Sequence, residues 1–185
     1  MPMNSYSVPL RQVVEEFNLT VSYAATNYDK VQLMVEEVMR PGLQLTGFFN
    51  HFEPLRLQVI GNAESTYLRT LSHERLEMIF DELFSHKIPA LIYARNIEPL
   101  PECMEMAKKY DITILRCLES TSYVVSSLIT YLKNALAPRI ARHGVLVEVY
   151  GEGLLLMGES GIGKSEEMCI RDRRCPARAC QRIRH

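Results

Sequence analysis

Eight consecutive residues, Gly158-Glu159-Ser160-Gly161-Ile162-Gly163-Lys164-Ser165, fit G-x-x-x-x-G-K-[ST], the pattern of a phosphate-binding loop. The residue types follow from the chemistry. Glycines let successive backbone N–H groups turn inward as a nest around phosphate oxygens. Lys164 would reach the β- and γ-phosphates of a nucleotide as a point charge, and the Ser165 hydroxyl would sit on Mg²⁺. The helix that follows such a loop offers its N-terminus to the same anion. A solvated glycine turn before an exposed lysine would satisfy the spacing too. The preceding run Gly153-Leu154-Leu155-Leu156-Met157 favours the loop, because the motif requires a strand immediately before it.

The elements that must position the loop come next. Val145–Tyr150 and Gly153–Met157 read as two strands joined only by Gly151-Glu152. A link of two residues permits an antiparallel hairpin and forbids a parallel crossover, which needs about a dozen residues or more. Ordinary P-loop ATPases and GTPases deliver the loop from a strand in a parallel sheet. The hairpin therefore points to a different nucleotide-binding architecture and argues against a generic P-loop NTPase.

Upstream, Val13, Val14 and Phe17 suggest a short helix after Pro9, and Thr20–Ala24 a first strand. Residues 28–50 show no clear period, and Met39-Arg40-Pro41-Gly42 breaks whatever precedes it. Leu57–Ile60, Ala90–Tyr93 and Ile112–Leu115 read as strands. Leu76, Ile79, Phe80, Leu83 and Phe84 form a helical stripe begun near Ser72, Pro101 opens a helix through Tyr110, and Val124, Leu128, Tyr131, Leu132 and Leu136 mark a last helix starting near Ser120 or Thr121. Strands alternating with helices imply βαβ units. The expected fold class is α/β: a three-layer N-terminal domain with a parallel sheet over residues 1–134, then the opening of a P-loop domain over 135–167. Pro138 should end the last helix.

Hydrophobic residues are 47% and charged residues 23%, a globular balance that argues against wholesale disorder. No run approaches the roughly 18 apolar residues of a membrane span, and the first residues lack a secretory layout. A soluble, cytoplasmic chain with no membrane partner is expected. The net charge of −1 hides a split: residues 1–167 carry −6, and residues 168–185 carry +5 from six arginines against Asp172. The acidic body gives no reason to expect nucleic acid as a partner. Cys103 and Cys117 read as reduced structural thiols. Cys169, Cys175, Cys180 and His185 are zinc-ligand types, but their spacing matches no familiar knuckle. The doublets Glu15-Glu16 and Glu36-Glu37 read as solvated faces, since adjacent residues diverge.

Met39–Phe49, Leu57–Gly61, Leu136–Pro138, His143–Gly151 and Gly158–Glu166 together resemble the HPr kinase/phosphorylase family, from about residue 5 to Glu166. The resemblance implies a bacterial sensor enzyme of carbon catabolite repression. Such an enzyme uses ATP or pyrophosphate, with Mg²⁺, to phosphorylate a serine of the phosphocarrier protein HPr, and runs the reverse phosphorolysis with inorganic phosphate. It also implies a kinase domain like that of phosphoenolpyruvate carboxykinase around the loop, and a homo-hexamer. By position, Lys164 matches the family's active-site lysine, Ser165 its magnesium ligand and His143 its active-site histidine. Taken alone, His143 could equally be a turn or capping residue; with the resemblance, its imidazolium would offset charge beside the transferring phosphate.

The resemblance breaks after Glu166. The family continues through a helix and a strand to an Asp-Asp motif, one aspartate of which exchanges the serine proton. Here the sequence runs Glu167-Met168-Cys169-Ile170-Arg171-Asp172-Arg173, and Pro176 would break the helix that the loop needs. Met168–Arg173 is also what one frame of a transposon-end sequencing adapter, ATGTGTATAAGAGACAG plus one base, encodes. Residues 168–185 are therefore expected to be a non-native, adapter-derived tail. Without the general base, a loss of about 10²–10⁴ in rate is expected from that group alone. The reading is a fragment of a bifunctional HPr serine kinase and phosphorylase that is inactive as it stands. The alternative is a non-catalytic α/β interaction or sensor module.

Overall fold

A computed structural model describes residues 6–139, 144–149 and 152–157. The chain divides into two compact units, Met1–Pro138 and Arg139–His185.

The first unit opens with β1 (Val8–Pro9) and α1 (Leu10–Glu16), whose Leu10, Val13 and Val14 are buried at helical spacing. The helix stops at Phe17, and Asn18 turns the chain away with a positive φ of 49°. β2 (Thr20–Tyr23) follows, then a 3-10 turn at Tyr28–Lys30, β3 (Gln32–Leu33), β4 (Val38–Met39) and a second 3-10 turn at Gln44–Thr46. The rest alternates: β5 (Leu57–Ile60), α2 (Asn62–Leu68), α3 (His73–Ser85), β6 (Ala90–Tyr93), α4 (Pro101–Tyr110), β7 (Thr113–Arg116) and α5 (Thr121–Leu136).

Local chemistry sets the boundaries. The Ser72 hydroxyl accepts the Arg75 N–H at 3.4 Å and Ser120 accepts that of Tyr123 at 3.3 Å, so each caps its own helix. Pro101 lies in the first turn of α4, where its missing N–H costs nothing. Asp111 ends α4 in the left-handed region, φ 56°, and its carboxylate accepts the Thr26 N–H at 2.8 Å and the Tyr23 hydroxyl at 3.4 Å. One side chain thus ties the loop after β2 to the end of α4.

The α/β class expected from sequence holds, but the main sheet is mixed. Its order is β2-β7-β6-β5-β4; β4, β5, β6 and β7 run parallel, while β2 pairs antiparallel with β7 through an irregularity between Val21 and Tyr23. The purely parallel expectation fails at this edge because an isolated apolar run reads the same in either direction. A separate pair joins β1 to β3. The central strands β5 and β6 are buried at every residue, as a sheet covered on both faces requires. Leu57, Val59, Ala90, Ile92 and Leu115 pack with α1 and α5, including Val124, Leu128 and Leu132. Ile60, Leu91, Tyr93 and Ile114 pack with α3 and α4 on the other face, against Phe80, Phe84 and Cys103. Three layers result. Among the described residues, no helix is long and apolar enough to cross a membrane.

Candidate functional site

The second unit is described through one hairpin, β8 (Gly144–Val149) and β9 (Glu152–Met157), paired antiparallel. Its register runs from Val149 opposite Glu152 to Gly144 opposite Met157. The connecting residues are therefore Tyr150 and Gly151, one position earlier than the sequence suggests. The shift arises because Glu152 continues the apolar strand instead of joining the link. Two residues remain the length at which antiparallel strands close most tightly.

The register has a consequence for the site. Gly144 and Met157 are opposite each other at the open end, and they are the residues to which His143 and Gly158 are joined in sequence. The pairing of β8 with β9 therefore tethers the two sequence blocks singled out for phosphate chemistry to the same end of one element. His143 and the loop residues Gly158, Glu159, Ser160, Gly161, Ile162, Gly163, Lys164 and Ser165 themselves lie outside the described residues, as do Cys169, Cys175, Cys180 and His185. Among the described residues no cluster of three His, Cys, Asp or Glu side chains could hold a metal ion.

In the first unit, the groups with chemical potential are held in structural roles. Cys103 is fully buried, and burial pushes its thiol up to about 12, which disfavours the reactive thiolate. Burial likewise raises Cys117; both cysteines are free. Tyr93 is raised well above its ordinary range by burial beside Cys103. Glu15 is paired with Arg11 at 2.9 Å, and Glu37 with Arg56, which is how exposed acidic doublets normally sit.

One polar junction escapes sequence reasoning. Glu64, with a side chain only 9% exposed, receives the Arg40 guanidinium at 2.6 Å and the Gly61 N–H at 3.0 Å. Arg40 follows β4 and Gly61 follows β5, so the carboxylate stitches the ends of two strands to the first turn of α2. Gly61 also lies so close to Thr121 that a Cβ there would come within 2.3 Å of its hydroxyl oxygen. The sequence carries no full capping signature here, because Gly61 has no side chain to match the carboxylate of Glu64. The ion pair to Arg40 was not visible either, since nothing local links residues 24 apart.

With this geometry in view, comparison with known proteins is decisive. Residues 8–132 match the family described as "HPr Serine kinase N terminus", and residues 134–171 match "HPr Serine kinase C-terminal domain". The chain belongs to the HPr serine kinase family. A relative named HPr kinase/phosphorylase from Lachnoclostridium phytofermentans is 43% identical over 161 residues, covering 87% of this chain and 52% of its own length. Another of that name from Caldicellulosiruptor bescii is 41% identical over 155 residues, covering 84% and 50%. The chain spans about half the length of these curated HPr kinase/phosphorylases. Among solved structures, the CBS and DRTGG domains of the regulatory region of Clostridium perfringens pyrophosphatase, complexed with the activator diadenosine tetraphosphate, align at a TM-score of 0.48 with 18% identity, over 66% of this chain and 46% of that one.

Proposed function

We propose that this chain is the N-terminal α/β domain and the first phosphate-binding part of a bifunctional HPr serine kinase/phosphorylase. The observation that carries the reading is the hairpin register. It brings the attachment points of His143 and of the G-x-x-x-x-G-K-S loop to one end of an antiparallel element, within a stretch that matches the family's C-terminal domain. In this reading the backbone of residues 158–163 cradles the phosphates of ATP or pyrophosphate, and Lys164 neutralises charge on the transferred group. His143, as an imidazolium, donates to the same phosphate. Ser165 would supply one hydroxyl to Mg²⁺, which when bound would lower the charge on the phosphates of the donor.

The acceptor is a serine of the phosphocarrier HPr, in a cytoplasmic homo-hexamer of carbon catabolite repression, with no nucleic acid or membrane involved. The 185-residue chain transfers no phosphate alone, because the residues after Glu166 supply no general base of the family's type. Residues 168–185 are a non-native tail; a genomic read carrying those codons in the native gene would contradict that.

The test joins residues 1–166 to the continuation of the Lachnoclostridium phytofermentans relative and follows thermal protection by ATP or pyrophosphate. Protection is expected, and Lys164→Ala should abolish it. A sensor module with a decorative loop predicts the same melting behaviour for both proteins with and without ligand.

A further inference from the structure

The acidic doublet at the end of α1 divides between two roles. Glu15 is paired with Arg11 at 2.9 Å, whereas Glu16 has no ion-pair partner among the described residues. Glu16 stands instead at a groove. Helix α1 ends at Phe17, and Asn18, with a φ of 49°, turns the chain away. On α5, the residues that meet this end are mostly small. Ser126, Ser127, Thr130 and Tyr131 share one face, because positions three and four apart are neighbours on a helix. Their short side chains leave a concave space of about 330 Å³ beside Glu16 and Phe17. Small-molecule sites begin at about that volume.

The lining narrows the ligand. Phe17 and Tyr131 meet edge to face with centroids 5.5 Å apart and supply the apolar part. The Ser126 hydroxyl donates to the Tyr123 carbonyl at 3.0 Å, and that of Thr130 to the Ser126 carbonyl at 2.9 Å. Both oxygens keep lone pairs, so they are left as acceptors. Burial and the Glu16 charge both raise the Tyr131 phenol, which stays neutral. Glu16 therefore brings the only charge to the lining. An anion would meet a carboxylate and no cation. A metal ion would find one carboxylate, and no three-residue His, Cys, Asp or Glu cluster exists among the described residues. An ammonium group for Glu16, hydroxyls for α5 and a carbon frame against the two rings match every part.

We propose that the groove between the end of α1 and the middle of α5 binds a small hydroxylated primary amine, of the size and chemistry of an amino sugar. The inference stands apart from the kinase reading, since it uses only the first unit. The groove is open and Glu16 is exposed, so the affinity is modest, about 1 mM.

The test titrates the ¹⁵N-labelled 185-residue chain with glucosamine and follows its backbone amides. Saturable shifts are expected at residues 16–17 and 126–131. Glucose, which carries a hydroxyl in place of the ammonium, should bind at least about threefold more weakly. Glu16→Gln should weaken glucosamine by a similar factor without moving the thermal transition, while Glu15→Gln leaves binding unchanged. Ser126→Arg, which places a cation in the groove, should abolish the shifts. Four results would each overturn the proposal: no saturation up to about twenty times the expected concentration, equal affinity for glucose, equal effects of Glu15→Gln and Glu16→Gln, or shifts confined to other residues.

Discussion

Gly61 shows how a single residue can be fixed by what stands opposite. Its φ and ψ are ordinary, so the demand for glycine is not conformational; it comes from the start of α5, where Thr121 occupies the space a methyl would need. Gly61→Ala should therefore destabilise the first unit by about 1–3 kcal/mol, the usual cost of overpacking, and Thr121→Ala in the same chain should recover part of it. Urea denaturation checks this; an unchanged midpoint would mean the two elements separate freely. The candidate phosphate loop stands out in the sequence because its motif confines backbone N–H groups, a cation and a hydroxyl to eight consecutive positions. The Arg40–Glu64 pair was illegible for the opposite reason, since folding alone brings it together.

At the scale of elements, legibility followed length. The apolar stripes of α3 and α5 extend over several turns, and each had a visible serine cap, so both were read with their starts. α2 is as short as α1 but buries Glu64, Ser65 and Leu68 in place of an apolar stripe, and β3 and β4 have two residues each, too few for any period to emerge. The packing of α3 on α4 carries a pH signature. His73 Nδ1 lies 2.8 Å from Glu102 and Nε2 3.3 Å from Glu77, and the bond to Glu102 raises His73 above its ordinary 6.5 while lowering Glu102 below 4.5. A raised histidine contributes most below its unfolded value and loses that contribution as pH rises through the folded one. A lowered carboxylate does the reverse, losing its contribution as pH falls. The clasp is therefore strongest between those ordinary values of 4.5 and 6.5. His73→Ala should lower the melting temperature slightly within that window and leave it unchanged at alkaline pH. Because the imidazole is exposed, the effect is small, and a loss that persists at high pH would point to packing instead.

The whole molecule combines a three-layer α/β unit with the first strands of a second domain. The two parts differ in what sustains them. The first closes its own core on both faces of a sheet, whereas the described part of the second presents leucines on both faces of a hairpin. The central claim, that this hairpin carries the phosphate loop of an HPr serine kinase, is tested most directly by transfer of ³²P from ATP to the serine of HPr. Two proteins are compared: the 185-residue chain, and residues 1–166 continued with the relative's sequence. No transfer is expected from the first and HPr-dependent transfer from the second, reduced at least about a hundredfold by Lys164→Ala. Transfer by the 185-residue chain, or a continued protein that binds HPr yet never phosphorylates it, would show that the hairpin does not carry such a loop.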